Sequence, residues 1–250
     1  MSGGPHDGSG QGALTRIGVL GLGRLGRAVA RAAQEQGLRV VEIGRWGEWP
    51  TGDHAPPVLI DASAPEAQPA LLDHCAQQGT ALVECVSNLS AAQWTALGEL
   101  ATRVPVVRAP NLSLGHHVQR QLVRLVGALH PIGAQPPEAT VWERHPVTKA
   151  HRPSASAVRL ADAWREASGH PAASVDSRRA GGPVSDHEVQ FAWRAESLTV
   201  RHSVASLDAA AFGALAAARW AVGGPPGITD VSAVFDELAH SARERERCQS

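Results

Sequence analysis

Residues 16–35 read RIGVLGLGRLGRAVARAAQE: an apolar run, then Gly21-x-Gly23-x-x-Gly26, then a helical pattern closed at Gly37. Each glycine has its own task in a strand–turn–helix unit. Gly21 permits the tight turn, Gly23 lets the backbone approach a pyrophosphate, and Gly26 lets the helix pack close to the strand. The helix then turns its first amides toward phosphate. The glycines alone are a weak signal; the strand before them and the helix after them make it a strong one. Gly21, Leu22, Gly23, Arg24, Leu25 and Gly26 are therefore expected to cradle a dinucleotide.

The next 80 residues keep the same rhythm. RVVEI, PVLIDAS, ALVECV and VPVVRAP read as strands, and PEAQPALLDHCAQQG and SAAQWTALGELATR as helices between them. Strands alternating with helices predict a parallel sheet covered on both faces. The expected fold class is α/β, with a Rossmann-type dinucleotide-binding domain over 15–112. An acidic residue ending the second strand would bind ribose hydroxyls, but Glu42 falls mid-strand and Arg45 stands nearest that place. Arg45 suits a 2′-phosphate and tilts the cofactor, NADPH or NADH, toward NADPH.

After Asn111 the texture changes. HHVQRQLVRLVGALH and SASAVRLADAWREAS read as helices, with Ser154 as an N-cap. DHEVQFAWR and ESLTVRHSVA alternate like antiparallel strands with one solvated face. This gives an α+β domain over 113–212, for substrate and oligomerisation. DAAAFGALAAARWAV opens a helical return, 213–240, to the first domain. Residues 1–14 read as a flexible lead-in and 241–250 as a fraying tail.

Composition removes several classes. Lys and Arg number 23 against 24 Asp and Glu, so no basic field exists for nucleic acid or anionic lipid. Three cysteines without a CxxC pair argue against a disulfide framework or a structural zinc site, and fit a reducing cytoplasm. No run of 18 apolar residues predicts a membrane span, and the N-terminal stretch lacks a signal-peptide pattern. Ser63 has no nucleophile-elbow context, which disfavours a hydrolase. His116 and His117 are adjacent on a helix and point about 100° apart, so they do not share a metal; they read as surface or interface packing. His187 reads as structural, and no metal is assigned.

One residue stands apart. Of the 23 basic residues only Lys149 is lysine, in ERHPVTKAHRPSAS. Guanidinium does not give up a proton in proteins; an amine among cations does. Lys149 is therefore a candidate proton donor, beside His145.

The same stretch, Glu143-Arg-His145-Pro146-Val-Thr-Lys149-Ala-His151-Arg-Pro153-Ser154-Ala155-Ser156-Ala157, resembles the E-x-H-H-x-x-K-x-D-x-P-S-G-T-A signature of the 4-hydroxy-tetrahydrodipicolinate reductase (dihydrodipicolinate reductase) family. VLIDASAP, RAPNLSLG, RAGGPVSDHEVQF and LTVRHSVASLDAAAFGALAAARW resemble further motifs of that family in order, over roughly 15–238. The resemblance implies an NAD(P)H-dependent, cytoplasmic, homotetrameric oxidoreductase of lysine and diaminopimelate biosynthesis, acting on a small dicarboxylate. It implies His145 as general acid/base and Lys149 as proton donor. Ser154, the amides of Ala155 and Ser156, the Ser156 hydroxyl and Arg179 or Arg152 would bind substrate carboxylate. Cys85, Val86 and Ser87 would lie near the nicotinamide, and Ala109, Pro110, Asn111 and Leu112 along it, at a hinge. In that chemistry hydride reaches C4 of a cyclic imine formed by loss of water.

Four departures matter: Pro146 for the second histidine, His151 for the aspartate, Ala155-Ser156 for Gly-Thr, and Cys85-Val86-Ser87-Asn88 for Gly-Thr-Thr-Gly. Two further readings therefore stay open. One is a reductase of another small dicarboxylate imine or keto acid; the other is a catalytically weak nucleotide-binding homologue.

Overall fold

A computed structural model of the chain describes residues 14–44, 48–129, 136–182 and 185–248. Arg45, and the lead-in apart from Leu14, lie outside the described residues. The chain divides into two compact units, Met1–Leu112 with Ala210–Ser250, and Ser113–Ala209.

The first unit is built on β1 (Arg16–Leu20), β2 (Arg39–Ile43), β3 (Val58–Asp61), β4 (Ala81–Glu84), β5 (Pro105–Arg108) and β10 (Gly227–Asp230). All pair in parallel, in the order β10-β5-β4-β3-β1-β2. Ile17, Val19, Leu59, Ile60, Leu82, Val83, Val106 and Val107 are all fully buried, as continuous apolar strands in a two-sided sheet must be. Helices α1 (Arg24–Glu35), α2 (Gln68–Gln78), α3 (Ala91–Ala101), α6 (Asp208–Ala221) and α7 (Val231–Cys248) belong to the same unit or lead into it. A capping box starts α3: the Ser90 hydroxyl accepts from the Gln93 amide and Gln93 Oε1 accepts from the Ser90 amide. The chain leaves β1 for β2 on one side and returns to β3 on the other, so the sheet has its switch point at β1. In such sheets ligands bind beyond the strand C-termini at that point.

Two features of the first unit differ from the sequence reading. The strand β10 was not expected; its four residues, Gly-Ile-Thr-Asp, show no period, and what makes them a strand is pairing with β5, more than 115 positions earlier in the chain. Helix α7 continues through the residues read as a tail, supported by pairs such as His240–Glu244, 3.1 Å apart at i,i+4 spacing.

The second unit sets α4 (Leu114–Leu129) and α5 (Ala155–Ser168) with a four-stranded sheet of order β7-β6-β8-β9. Strands β6 (Glu138–His145), β8 (Ser185–Ala192) and β9 (Ser197–Val204) are antiparallel neighbours. Ala139, Val141, Val189 and Phe191 meet Val123, Leu160, Ala163 and Trp164 in its core. A Cβ on Gly127 would come 2.7 Å from Ala167 Cβ, so this glycine lets α4 cross close to α5. Strand β7 (Ser174–Arg179) was also not expected, and it runs parallel to β6. It is an edge strand with Val175 as its one apolar residue, so it carries no pattern. No described helix is long and apolar enough to cross a membrane.

Candidate active site

The cofactor end lies at the tip of β1. Gly21 has φ +92°, and a Cβ there would come 2.7 Å from the Ala62 carbonyl beyond β3. A Cβ on Gly26 would sit 1.9 Å from the Gly21 carbonyl oxygen. Gly23 is different: nothing lies within 4 Å of where its Cβ would be, and it caps α1 with no side-chain hydrogen bond. A backbone packed tightly at Gly21 and Gly26 and open at Gly23, with an uncapped helix N-terminus, fits a dinucleotide phosphate. Arg27 Nε donates to the Leu22 carbonyl at 2.9 Å and braces the loop; Leu22 and Arg24 are exposed and Leu25 half-buried.

Beside this loop, β3 and β4 end in two buried carboxyls, Asp61 and Glu84, which are register partners. Desolvation, reinforced by Asp61, pushes Glu84 up to about 8; desolvation also raises Asp61, against hydrogen bonds from Ser63. Glu84 Oε1 accepts from the Val86 amide at 2.8 Å and so shapes the Cys85–Asn88 loop. Cys85 and Val86 are half-buried, and Ser87 and Asn88 exposed. No described non-glycine residue has a positive φ, so Asn88 does not use the left-handed backbone for which its side chain is suited. Ala109 and Leu112 are buried and Pro110 and Asn111 half-buried; the Leu112 carbonyl lies where a Cβ on Gly213 would be, at 1.8 Å, so Leu112 is walled in by α6.

The second constellation lies wholly in the second unit. Along β6 the inward residues are Ala139, Val141, Glu143 and His145, the last two polar where the strand leaves the core. Glu143 is fully buried and organises everything around it. Its Oε1 accepts from the Ser154 amide (3.0 Å), the Ser177 hydroxyl (2.6 Å) and Arg179 NH1 (3.1 Å). Burial alone would raise its pKa, but these hydrogen bonds prevail and hold it at about 2. Arg179, its side chain 2% exposed, also donates to the carbonyls of Lys149 (2.8 Å), Arg178 (3.0 Å) and His151. These bonds tie the 146–153 loop to β6 and β7. Each guanidinium nitrogen of Arg179 thus donates within the second unit, which makes the side chain a strut where the sequence reading placed a contact to substrate carboxylate.

His145 is buried with its Nδ1 3.3 Å from Glu143 Oε2. Desolvation lowers its pKa; Glu143 pulls the other way, and the charges of Arg179 and Lys149 add to the lowering. The net direction favours the uncharged imidazole. Lys149 is exposed on a turn closed by its own amide donating to the Pro146 carbonyl at 3.0 Å. Its charge reaches His145. Ser154 is buried: its hydroxyl accepts from the Ala157 amide at 3.2 Å and lies 3.4 Å from His187 Nε2. That makes it the cap of α5. Ala155, exposed, and Ser156, half-buried, form the first turn of α5.

Sequence reasoning missed a histidine cluster. His116 and His117 are both buried, against the expectation of surface or interface packing. The His116 ring lies tilted at 5.7 Å from His187 and 6.2 Å from His202, and His145 meets His187 edge-on at 5.0 Å. Desolvation lowers His116 to about 3 and His187 to about 4, with neighbouring imidazoles adding to each. Gly115 allows this approach, since its Cβ would come 2.7 Å from the His202 ring. The one sequence signal was Glu143 at i−2 from His145, a carboxylate on the buried face of a strand.

The chain matches two family profiles, dihydrodipicolinate reductase C-terminus over residues 90–235 and dihydrodipicolinate reductase N-terminus over residues 49–112. It is 34% identical to the 4-hydroxy-tetrahydrodipicolinate reductase of Caulobacter vibrioides, covering 88% of this chain and 96% of that one. It is 34% identical to the protein of the same name from Xanthomonas euvesicatoria, covering 82% and 90%. Among solved structures, a dipicolinate-bound dihydrodipicolinate reductase from Paenisporosarcina sp. TG-14 has a TM-score of 0.68 at 16% identity, covering 87% of this chain and 97% of that one. An amine dehydrogenase from Mycobacterium smegmatis reaches 0.57 at 14% identity, covering 89% and 96%.

Proposed function

The chain belongs to the dihydrodipicolinate reductase family, and from that premise we propose that it reduces 4-hydroxy-tetrahydrodipicolinate with a nicotinamide cofactor, on the diaminopimelate route to lysine. The observation that carries the site assignment is the Glu143–Arg179 strut. One carboxylate touches His145, fixes the amide that opens α5, and through Arg179 fixes the carbonyl of Lys149. The three parts that the chemistry needs are thus held by one buried ion pair.

The cofactor supplies hydride when bound; the chain supplies everything else. Gly21, Leu22, Gly23, Arg24, Leu25 and Gly26 hold its pyrophosphate, and Arg45, two positions past β2, favours NADPH over NADH. The loops at Cys85–Ser87 and Ala109–Leu112 lie at the C-terminal ends of β4 and β5 and border the nicotinamide. The first turn of α5, at Ala155 and Ser156, orients a substrate carboxylate through its amides. Neutral His145 accepts a proton as the 4-hydroxy compound loses water, and Lys149 delivers the proton that completes the reduction.

The family resemblance carries two further readings, a homotetramer and a cytoplasmic site of action. Leu114, Val118, Leu122, Leu125 and Leu129 are exposed at helical spacing on α4. An apolar stripe of that length on one helix favours subunit contact over exposure to water. Sedimentation should give a mass of four chains.

The decisive assay couples the protein to condensation of pyruvate with aspartate semialdehyde and follows NADPH and NADH oxidation. Turnover with preference for NADPH is expected. Cofactor binding without turnover would overturn the reading in favour of a non-catalytic homologue, and turnover on another imine alone would reassign the substrate.

A further inference from the structure

We propose that Glu143, His145 and His187 form a binding site for a divalent first-row transition ion, Zn²⁺ foremost, at the buried end of the β6–β8 pair. The register builds it. Glu143 stands directly across the antiparallel ladder from His187, and His145 follows two residues later, so all three side chains share one face. All three are buried, and their ligand atoms lie within 4.8 Å of one another. Glu143 Oε2 is 3.3 Å from His145 Nδ1 and 3.8 Å from His187 Nε2. Donors around a tetrahedral Zn²⁺ at about 2.0–2.1 Å stand about 3.4 Å apart, so side-chain adjustments of about an ångström close the trio on an ion.

Two observations favour a cation over a purely structural cluster. First, Glu143 Oε2 and His145 Nδ1 are buried and 3.3 Å apart yet have no hydrogen-bond partner among the described residues, a condition that an ion shared by both would meet. Second, Glu143 Oε1 already takes three donors, from Ser154, Ser177 and Arg179. That arrangement fixes the carboxylate and aims Oε2 at the imidazoles, as outer-shell partners orient metal ligands. One carboxylate with two imidazoles is a donor set of catalytic zinc sites, and Ser154 Oγ, 3.4 Å from His187 Nε2, offers a nearby oxygen. The Arg179 guanidinium opposes the ion's charge and places the affinity below that of a cysteine-rich site. An ion here occupies the lone pair of His145, so Zn²⁺ should inhibit reduction. That consequence rests on the role proposed for His145; ion binding itself does not.

The test is titration of the chelator-stripped, full-length protein with Co²⁺. We expect one Co²⁺ per chain, with the intense visible bands of four- or five-coordination, displaced by one equivalent of Zn²⁺. His187→Ala and His145→Ala should each weaken binding by more than about 100-fold, beyond the 10–100-fold cost of losing an outer-shell partner. Replacing the exposed His240 with Ala should change nothing. Circular dichroism checks the fold, and if His187→Ala does not fold, His145→Ala carries the comparison. The pale spectrum of octahedral Co²⁺ in the wild type, a stoichiometry other than one, or binding that survives both substitutions overturns the site. Full reductase activity with the ion bound overturns instead the assigned role of His145.

Discussion

Glu143 shows how one side chain can hold a site together. Removing it would leave the Arg179 guanidinium, 2% exposed, without its counter-charge. Stranding a buried charge costs about 3–5 kcal/mol, so Glu143→Ala should lose stability on that scale in urea unfolding. A loss below about 1 kcal/mol would show that Arg179 finds solvent. Lys149 makes the opposite case: exposed and placed by its backbone, it is expected to matter for chemistry alone. Lys149→Arg should lower kcat by about 100-fold or more, the usual worth of a positioned proton donor, with the melting temperature unchanged. Retention of most of kcat would remove the assigned role. His145 and Lys149 stood out in the sequence because proton chemistry demands those residue types. The work of Arg179 was not, because a guanidinium that binds a ligand and one that braces a loop are the same letters.

At the scale of elements the glycine loop offers a sharp pair of experiments. Gly23→Ala places its methyl in open space, whereas Gly26→Ala drives it to 1.9 Å from a carbonyl oxygen. Gly23→Ala should therefore leave the melting temperature nearly unchanged while weakening NADPH binding at least tenfold in a fluorescence titration. Gly26→Ala should destabilise the first unit itself. Equal effects of both on stability, or none of either on cofactor affinity, would contradict the division of labour. Strands β1 to β5 were readable because continuous apolar runs between helical patterns admit one arrangement. Strands β7 and β10 were not: each is short and lies at a sheet edge, and pairing with β6 and β5 decides its conformation.

Across the molecule, the buried Asp61–Glu84 pair ties stability to pH. An unfolded glutamate ionises near its ordinary value of 4.5, while folded Glu84 keeps its proton up to about 8. Between those values folded Glu84 binds more protons than the unfolded residue, so its contribution to stability is fully present below 4.5 and is lost as pH rises toward 8. Glu84→Gln keeps the oxygen that accepts from the Val86 amide and removes the titration. Its melting temperature should exceed that of the wild type at pH 8 and converge with it near pH 4.5; a difference independent of pH would refute the linkage. Residue order alone determined the strand–helix alternation, the glycine turn and the His145–Lys149 stretch, because these depend on periods and residue types within a short span of chain. Only the tertiary structure decided that Glu143 faces His187 and that Arg179 holds Lys149. It alone gathered His116, His145, His187 and His202 into one cluster. Those facts come from register and close approach between segments tens of residues apart, and no local pattern carries them.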